Sequence, residues 1–435
     1  MTKGKTIHDP LHGSIRVDGV FLDLLDRHEF QRLHSVKQLG LGNMVFPGAN
    51  HTRSEHSLGV YHLAGRMADV LGMRDEQNKA VRAAAMLHDI CHPPFSHTME
   101  EILEDVTGSD HMELARRLIT GRIPTFMERD EDLFGGSEPL SKILEADGIS
   151  PEFVCDLISY HESKKEGLDI FMTSDRQAFF SSNDYAHQII HGPVDADQMD
   201  YLVRDAHYTG VSHGSIDMDR LMSQMRIFNN TLVLEKGGIT ATEGLMVSRA
   251  LMYSSVYYHK TVRIAEMMMT KAAEISGLDL RELYLMDDSD LTSALISSGG
   301  KASELVRSVL RRRLYKKAFA MYTLDMDEDA LSDLSKHSGY GDRKRLEAEI
   351  AEQAGVDFSD VVVDMPSRST LLNNVKIGKT GVSILHEGKV RPITRFSPIA
   401  KALQSRSIFD WAVMISSPAD HAEAVGKAAE RVLSL

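Results

Sequence analysis

The chain has 435 residues, 42% hydrophobic and 26% charged, with a formal net charge of −14; that length exceeds one hydrophobic core and predicts a main domain with a smaller one appended. The acidic balance excludes a general nucleic-acid-binding surface, which needs many Lys and Arg contacts to phosphate. No apolar run reaches the roughly 18 residues of a membrane span.

The first fifty residues mix turn signals (DPLHG, PGAN) with a helix predicted over 20–34, where Phe21, Leu24 and Leu25 recur at helical spacing. The opening MTKGKTIHDPLHG has no apolar stretch of export-signal type, which predicts a cytoplasmic protein. From Ser54 the pattern is helical, with Leu58, Leu63, Met67 and Val70 on one stripe. Asp75 then caps an alanine-rich helix that Pro93 and Pro94 should end. Further helices are predicted over 97–106, 111–120, 151–163, 194–206, 242–275 and 300–321. A hairpin fits RIFNNTLVLEKGGITA, punctuated by Asn229-Asn230 and Gly237-Gly238. Beyond 322, VVVDM, GVSILHEGKVRPIT and FDWAVMIS read as strands, and PADHAEAVGKAAERVLSL as a closing amphipathic helix. The expected fold class is therefore mainly α, a helical core with small β-hairpins over 1–321. A smaller α/β lobe over 322–435 serves as an accessory or oligomerisation unit.

Seven of the twenty histidines (51, 56, 62, 88, 92, 97 and 111) fall between residues 51 and 111, a local enrichment. The densest stretch, LHDICHPPFSH (Leu87–His97), sets three histidines and an aspartate behind a run of buried-helix type. So many costly polar groups ask for a common partner, and a metal ion is the obvious one. On one helix, His88 and His92 share a face, with Asp89 turned about 100° away. A second cluster, GPVDADQMDYLVRDAHYTG, carries Asp195, Asp197, Asp200 and Asp205 near a helix start. One such Asp is ordinarily an N-cap, but four in eleven residues also suit a cation. Cys91 reads as a small buried filler before a ligand, Cys155 offers it no disulfide framework, and RSVLRRRLYKK (Arg307–Lys317) as a solvated helix face before a phosphate contact.

RSEHSLG (Arg53–Gly59), HDICHPPFSH (His88–His97) and VDADQMDYLVRDAHYTG (Val194–Gly210) resemble the H…HD…D signature of the HD-domain phosphohydrolases. IHDPLHGSIRV, FQRLHSVKQLG and VFPGANHTRSEHSLGV narrow the resemblance to the branch of SAM-and-HD-domain deoxynucleoside triphosphate triphosphohydrolases and their bacterial and archaeal relatives. It runs in order from about residue 5 to 265, without a counterpart of the SAM domain.

The resemblance implies an HD-domain helical core and one metal held by His56, His88, Asp89 and Asp197. Two imidazoles and two carboxylates suit Mn, Fe, Ni, Co or Zn, with Mg entering alongside the nucleotide. It assigns His92, His97, Glu100 and His111 to phosphate binding and proton transfer. It assigns Gln38, Leu39, Arg53, Tyr201, Asp205, Arg249 and Tyr257 to contacts with sugar and phosphates. Lys5, Asp26 and Gln31 match a site for an activating nucleotide. The implied activity is release of inorganic triphosphate from a dNTP in a homo-oligomer, dimer or tetramer. Three positions depart from the pattern: Glu100 stands where Asp is commoner, Gln198 where vertebrate members have lysine, and His34 where an activator-site arginine is expected. Two other readings share these residues: an HD phosphohydrolase for another nucleotide or phosphate ester, and a nucleotide sensor without turnover.

Overall fold

The computed structural model describes residues 4–159, 184–366, 381–403 and 411–433. Strands β1 (Gly4–Asp9) and β2 (Gly13–Asp18) form an antiparallel hairpin whose Ile15 and Val17 are buried while alternate residues are exposed. The region expected as one helix over 20–34 is split into Val20–Leu25, His28–Gln31 and a 3₁₀ turn Arg32–Ser35, because Arg27 is extended (ψ 141°).

The helical centre consists of Arg53–Val70, Asp75–Leu87 and Ala196–Thr209, packed by a continuous apolar cluster that includes Leu63, Met67, Val81, Ala84 and Leu202. Asp75–Leu87 ends six residues before Pro93. His88 is its C-cap, and its Nδ1 turns back to the Ala85 carbonyl at 2.8 Å. His88 and His92 therefore do not share a helix face as the spacing suggested; the turn after the helix carries them instead. The next helix begins at Glu100 rather than 97, since Phe95 and Ser96 are left-handed. The segment expected over 242–275 breaks into Ile239–Met252 and Lys260–Ile275 around a π-helical turn, Tyr253–Tyr257, a feature frequent at functional sites. The helix expected over 151–163 starts at Pro151 but stops at Ile158, where Ser159 turns extended; residues 160–163 lie outside the described residues. The hairpin stands as read: β3 (Met225–Phe228) and β4 (Thr231–Glu235) are joined by Asn229 and Asn230, both at positive φ.

The C-terminal part departs most from its expected outline. Gly300–Leu310 is helical, but 316–322 is a strand, β5 (Lys316–Tyr322), not the end of that helix. It pairs with β9 (Trp411–Ser417), which also pairs with β6 (Val362–Asp364), in the order β5-β9-β6. Helices Tyr340–Ala354 and Ala422–Val432 pack against this sheet. The partner that makes 316–322 a strand is supplied about a hundred residues later, which local propensity does not register. Strands β7 (Ser383–His386) and β8 (Lys389–Pro392) join β3 and β4 instead, β7 running parallel to β4. The expected boundary at 321/322 thus falls inside β5, and residues 383–403 lie on the larger unit. Among the described residues, no helix is long and apolar enough to cross a membrane.

Candidate metal centre and cavity

Residues from four separate segments meet at one end of Arg53–Val70. A capping box fixes that end: the Glu55 carboxylate accepts from the Thr52 N–H at 2.7 Å, while its other oxygen accepts from the Tyr208 hydroxyl at 2.7 Å. Arg53 and His56, in the first turn, are thereby aimed inward and are 3% and 1% exposed.

His56 Nε2 lies 3.0 Å from Asp197 Oδ1 and 3.7 Å from Asp89 Oδ2. His88 Nε2 lies 3.3 Å from Asp89 Oδ1 and 3.9 Å from Asp197 Oδ1. Each ring is turned by its other nitrogen, His56 Nδ1 against Asp200 at 2.8 Å and His88 Nδ1 against the Ala85 carbonyl at 2.8 Å. That arrangement points both Nε2 atoms at the Asp89 and Asp197 carboxylates, the usual orientation of metal-bound imidazoles. His88 Nε2 is buried without a hydrogen-bond partner among the described residues, and donors of His56, His88 and Asp197 lie within 4.8 Å of one another. The donor set fits a divalent transition ion, bound about 2.0–2.2 Å from each atom.

The charges agree. Burial disfavours a charged His56, but its hydrogen bonds to Asp197 and Asp200 outweigh this and raise its pKa to about 10. Burial likewise opposes ionisation of Asp197, and His56 holds it at about 2. The pocket thus demands positive charge between its carboxylates, which a cation supplies. Asp200 collects three donors: His56, His12 Nε2 at 2.6 Å and Arg204 Nε at 2.8 Å. A Cβ on Gly59 would stand 1.9 Å from Asp200 Oδ1, so glycine at this position of Arg53–Val70 permits the approach. Arg53 donates to Asp89 at 2.6 Å, and its second terminal nitrogen is buried with no hydrogen-bond partner among the described residues.

Next to the quartet, Glu100 gathers the remaining histidines. One oxygen meets His97 Nδ1 at 2.7 Å, and the other meets His111 Nδ1 at 2.8 Å and lies 3.7 Å from His92 Nδ1. Burial opposes the charge on Glu100, but His97 and His111 keep its carboxyl well below the ordinary range. His92 is driven well below its ordinary value by burial and then by Arg53, and is neutral; His111 is raised, the Glu100 carboxylate outweighing burial. The two stacked imidazoles, with ring centres 4.1 Å apart, are thus pushed in opposite directions. His97 is the open member, with its side chain 69% exposed.

Both clusters line one cavity of about 650 Å³. His56 lies beneath its wall; the other three quartet members, Gln38, Leu39, Arg53, Tyr201, Asp205, Arg249, Tyr257 and the Glu100 cluster face it. Asp205 uses both oxygens, toward His51 at 2.8 Å and the Tyr257 hydroxyl at 2.6 Å, while Gln38 Oε1 is buried with no hydrogen-bond partner among the described residues. Gln198 Oε1 accepts from Arg249 at 3.0 Å, so the residue that removes an expected cation orients another. Lys5 and Asp26 pair at 3.1 Å on the surface, outside this cavity, and the Gln31 amide donates to the Leu25 carbonyl at 2.8 Å. Cys91 is buried, and burial pushes its thiol up to about 12, as suits a filler.

Several participants escaped the sequence reading. Asp200 was visible in the acidic cluster, but nothing local joins it to His56, 144 residues away. Asp364, on β6, also lines the cavity and pairs with Arg263 at 2.6 Å, with no motif around it.

Comparison with known proteins completes the picture. The family described as HD domain matches residues 53–205, and the HD associated region matches 216–435. An uncharacterized protein of Methanocaldococcus jannaschii is 32% identical over 95% of this chain and 79% of its own length. The SAMHD1 homolog of Dictyostelium discoideum, a deoxynucleoside triphosphate triphosphohydrolase, is 29% identical over 72% of this chain and 59% of its own length. A hypothetical protein from Aquifex aeolicus superposes with a TM-score of 0.68 at 26% identity, covering 98% of this chain and all of that one. The chain thus spans little more than half the length of the relative whose activity is named.

Proposed function

Because this chain belongs to the HD-domain phosphohydrolase family, we propose that it hydrolyses deoxynucleoside triphosphates to deoxynucleoside and inorganic triphosphate. The observation that carries the proposal is the meeting, in one cavity, of a four-donor cation pocket with an orphaned His88 Nε2 and a Glu100-centred proton store. In this reading His56, His88, Asp89 and Asp197 hold one divalent ion. Such an ion, when bound, polarises the α-phosphoryl group and lowers the pKa of water.

The remaining steps belong to the chain's own side chains. The oxygen of water bonds to the α-phosphorus, the bond to the 5′ oxygen breaks, and the leaving alkoxide takes a proton. His97, open to the cavity and hydrogen-bonded to Glu100, stands where that proton is delivered; His111 shares the same carboxylate and refills it. Arg53 and Arg249 face the phosphates, and Gln38, Tyr201, Asp205 and Tyr257 form the sugar wall. A homo-oligomer accompanies this reading, measurable by light scattering.

The test incubates purified protein and Mn²⁺ with each dNTP and separates the products. Deoxynucleoside together with inorganic triphosphate is the expected outcome. Absence of both across Mn, Co, Ni and Zn, with and without added GTP, rejects it. One observation favours a second substrate class: Gln198, standing where vertebrate members have lysine, tethers Arg249 and leaves one cation fewer beside it, which suits a shorter phosphate ester. Release of orthophosphate from a nucleoside monophosphate would select that reading.

A further inference from the structure

The loop carrying His92 and His97 is held against its own backbone preference. Phe95 and Ser96 are consecutive residues in the left-handed region, at φ 56° and 53°. Side chains with a Cβ disfavour that region, so such a turn persists only where its surroundings determine it. Here they do so from every side. The Asp288 carboxylate, at the start of Asp288–Ser297, accepts from the Phe95 N–H at 2.7 Å with one oxygen and from the Lys37 N–H at 3.2 Å with the other. The Arg32 guanidinium donates to the carbonyls of Ile90, His92 and Met286 at 2.8, 2.9 and 2.6 Å. Ser96 Oγ donates to the Lys37 carbonyl at 2.7 Å and accepts from Arg53 Nε at 2.9 Å. A Cβ on Gly40 would come within 2.7 Å of the Phe95 carbonyl oxygen, so residues 37–40 press on the turn.

Asp288 and Arg32 are absent from the cavity wall, and both grip only backbone on the catalytic loop. We propose that Asp288 is a positioning residue that locks the left-handed Phe95–Ser96 turn, so that Ser96 seats Arg53 and His97 meets Glu100. A carboxylate suits the task because it has one acceptor for each of the two N–H groups, whereas an amide has a single acceptor oxygen. The inference rests on the reading of His97 and Glu100 as the proton-transfer pair, and Asp288 itself bonds to the Phe95 and Lys37 N–H groups rather than to any of the four proposed metal-holding side chains.

The experiment compares Asp288→Ala, Asp288→Asn and Glu100→Gln with the unaltered full-length protein, assayed with Mn²⁺ and an equimolar mixture of the four dNTPs. Metal content and hydrogen exchange over residues 93–98 are followed in parallel. Asp288→Ala should lose kcat by about 10²-fold, with KM and bound metal within about twofold, as for a misplaced catalytic group. Exchange at Phe95 should rise, and Asp288→Asn should fall between. Unchanged kcat in Asp288→Ala while Glu100→Gln is impaired would overturn the proposal, as would a loss that follows metal loss. If Glu100→Gln is itself unimpaired, the proton-transfer reading fails instead, and exchange at Phe95 alone decides the clamp. If Asp288→Ala does not fold, Asp288→Asn carries the same test, and unchanged kcat and exchange there reject the clamp.

Discussion

The cavity wall and the C-terminal sheet are built from opposite materials. Around the cavity the deeply buried side chains are charged or titratable: Arg53, His56, His88, Asp89, Asp200 and Arg204 are each at most 4% exposed. In the sheet, β9 is buried along its whole length, and Leu346, Ile350, Val363, Ile415 and Val425 fill the space beside it. Apolar burial stabilises wherever it occurs, by about 25 cal/mol per Å² removed from water. Buried charge stabilises only when each group finds its partner. One region therefore depends on packing and the other on pairing, which a cation completes in the proposed function.

The contrast can be broken hardest at the quartet. His88→Ala or Asp197→Ala should reduce bound transition metal and turnover to background while the sheet stays folded; elemental analysis with circular dichroism measures both. Stoichiometric metal in either variant would remove the cavity's dependence on pairing.

A smaller effect is expected where the two materials meet. Lys271 and Glu347 form an ion pair, buried to 1% and 3% exposure, and Glu347 also accepts from the Val363 N–H at 2.9 Å. Lys271→Met strands the carboxylate and should cost about 3–5 kcal/mol in urea unfolding. Adding Glu347→Leu should recover most of that loss, since an apolar pair of similar volume replaces an ionic one at little cost. No recovery would mean that charge, rather than packing, holds the lobe.

The smallest effect concerns acid. Burial, reinforced by His12 and Arg66, lowers His62 to about 4 from an unfolded value near 6.5. The folded state therefore resists protonation that the unfolded state accepts. Stability from this group is present above pH 6.5, declines below it and is lost as pH falls through 4. The side chain is partly open, so about 1–2 kcal/mol is the appropriate scale. Melting curves between pH 7 and 4 should be flatter for His62→Gln than for the unaltered protein, and parallel curves would contradict this.

Much of the cavity was legible because its donors lie in short dense motifs. HD at 88–89 and the acidic cluster at 195–205 stand out locally, whereas the choice of His56 and Asp197 came through the resemblance of the longer motifs; the structure brings all four together. What stayed hidden depends on distance along the chain. Asp288 reaches Phe95 across 193 residues, and His12 reaches Asp200 across 188, with no periodicity to mark either. The helix expected over 300–321 failed for the same reason: β5 exists because β9 lies beside it. The prolines misled in a subtler way. They mark the turn, but the helix had already stopped at His88, whose side chain satisfies a carbonyl of the last turn.

The parallel pairing of β4 with β7 ties the order of synthesis to the order of folding. Leu234 and Glu235 find their partners only at Ile384 and Leu385, after the chain has passed through the β5–β6 sheet. A nascent chain halted anywhere before 384 keeps one edge of β4 open, with backbone donors and acceptors that a neighbouring polypeptide could borrow. The last strand, β9, then closes a sheet begun almost a hundred residues upstream. Fragments cut near 322 should accordingly be sticky rather than autonomous, and both sheets can be sealed only once β9, Trp411–Ser417, has emerged from the ribosome.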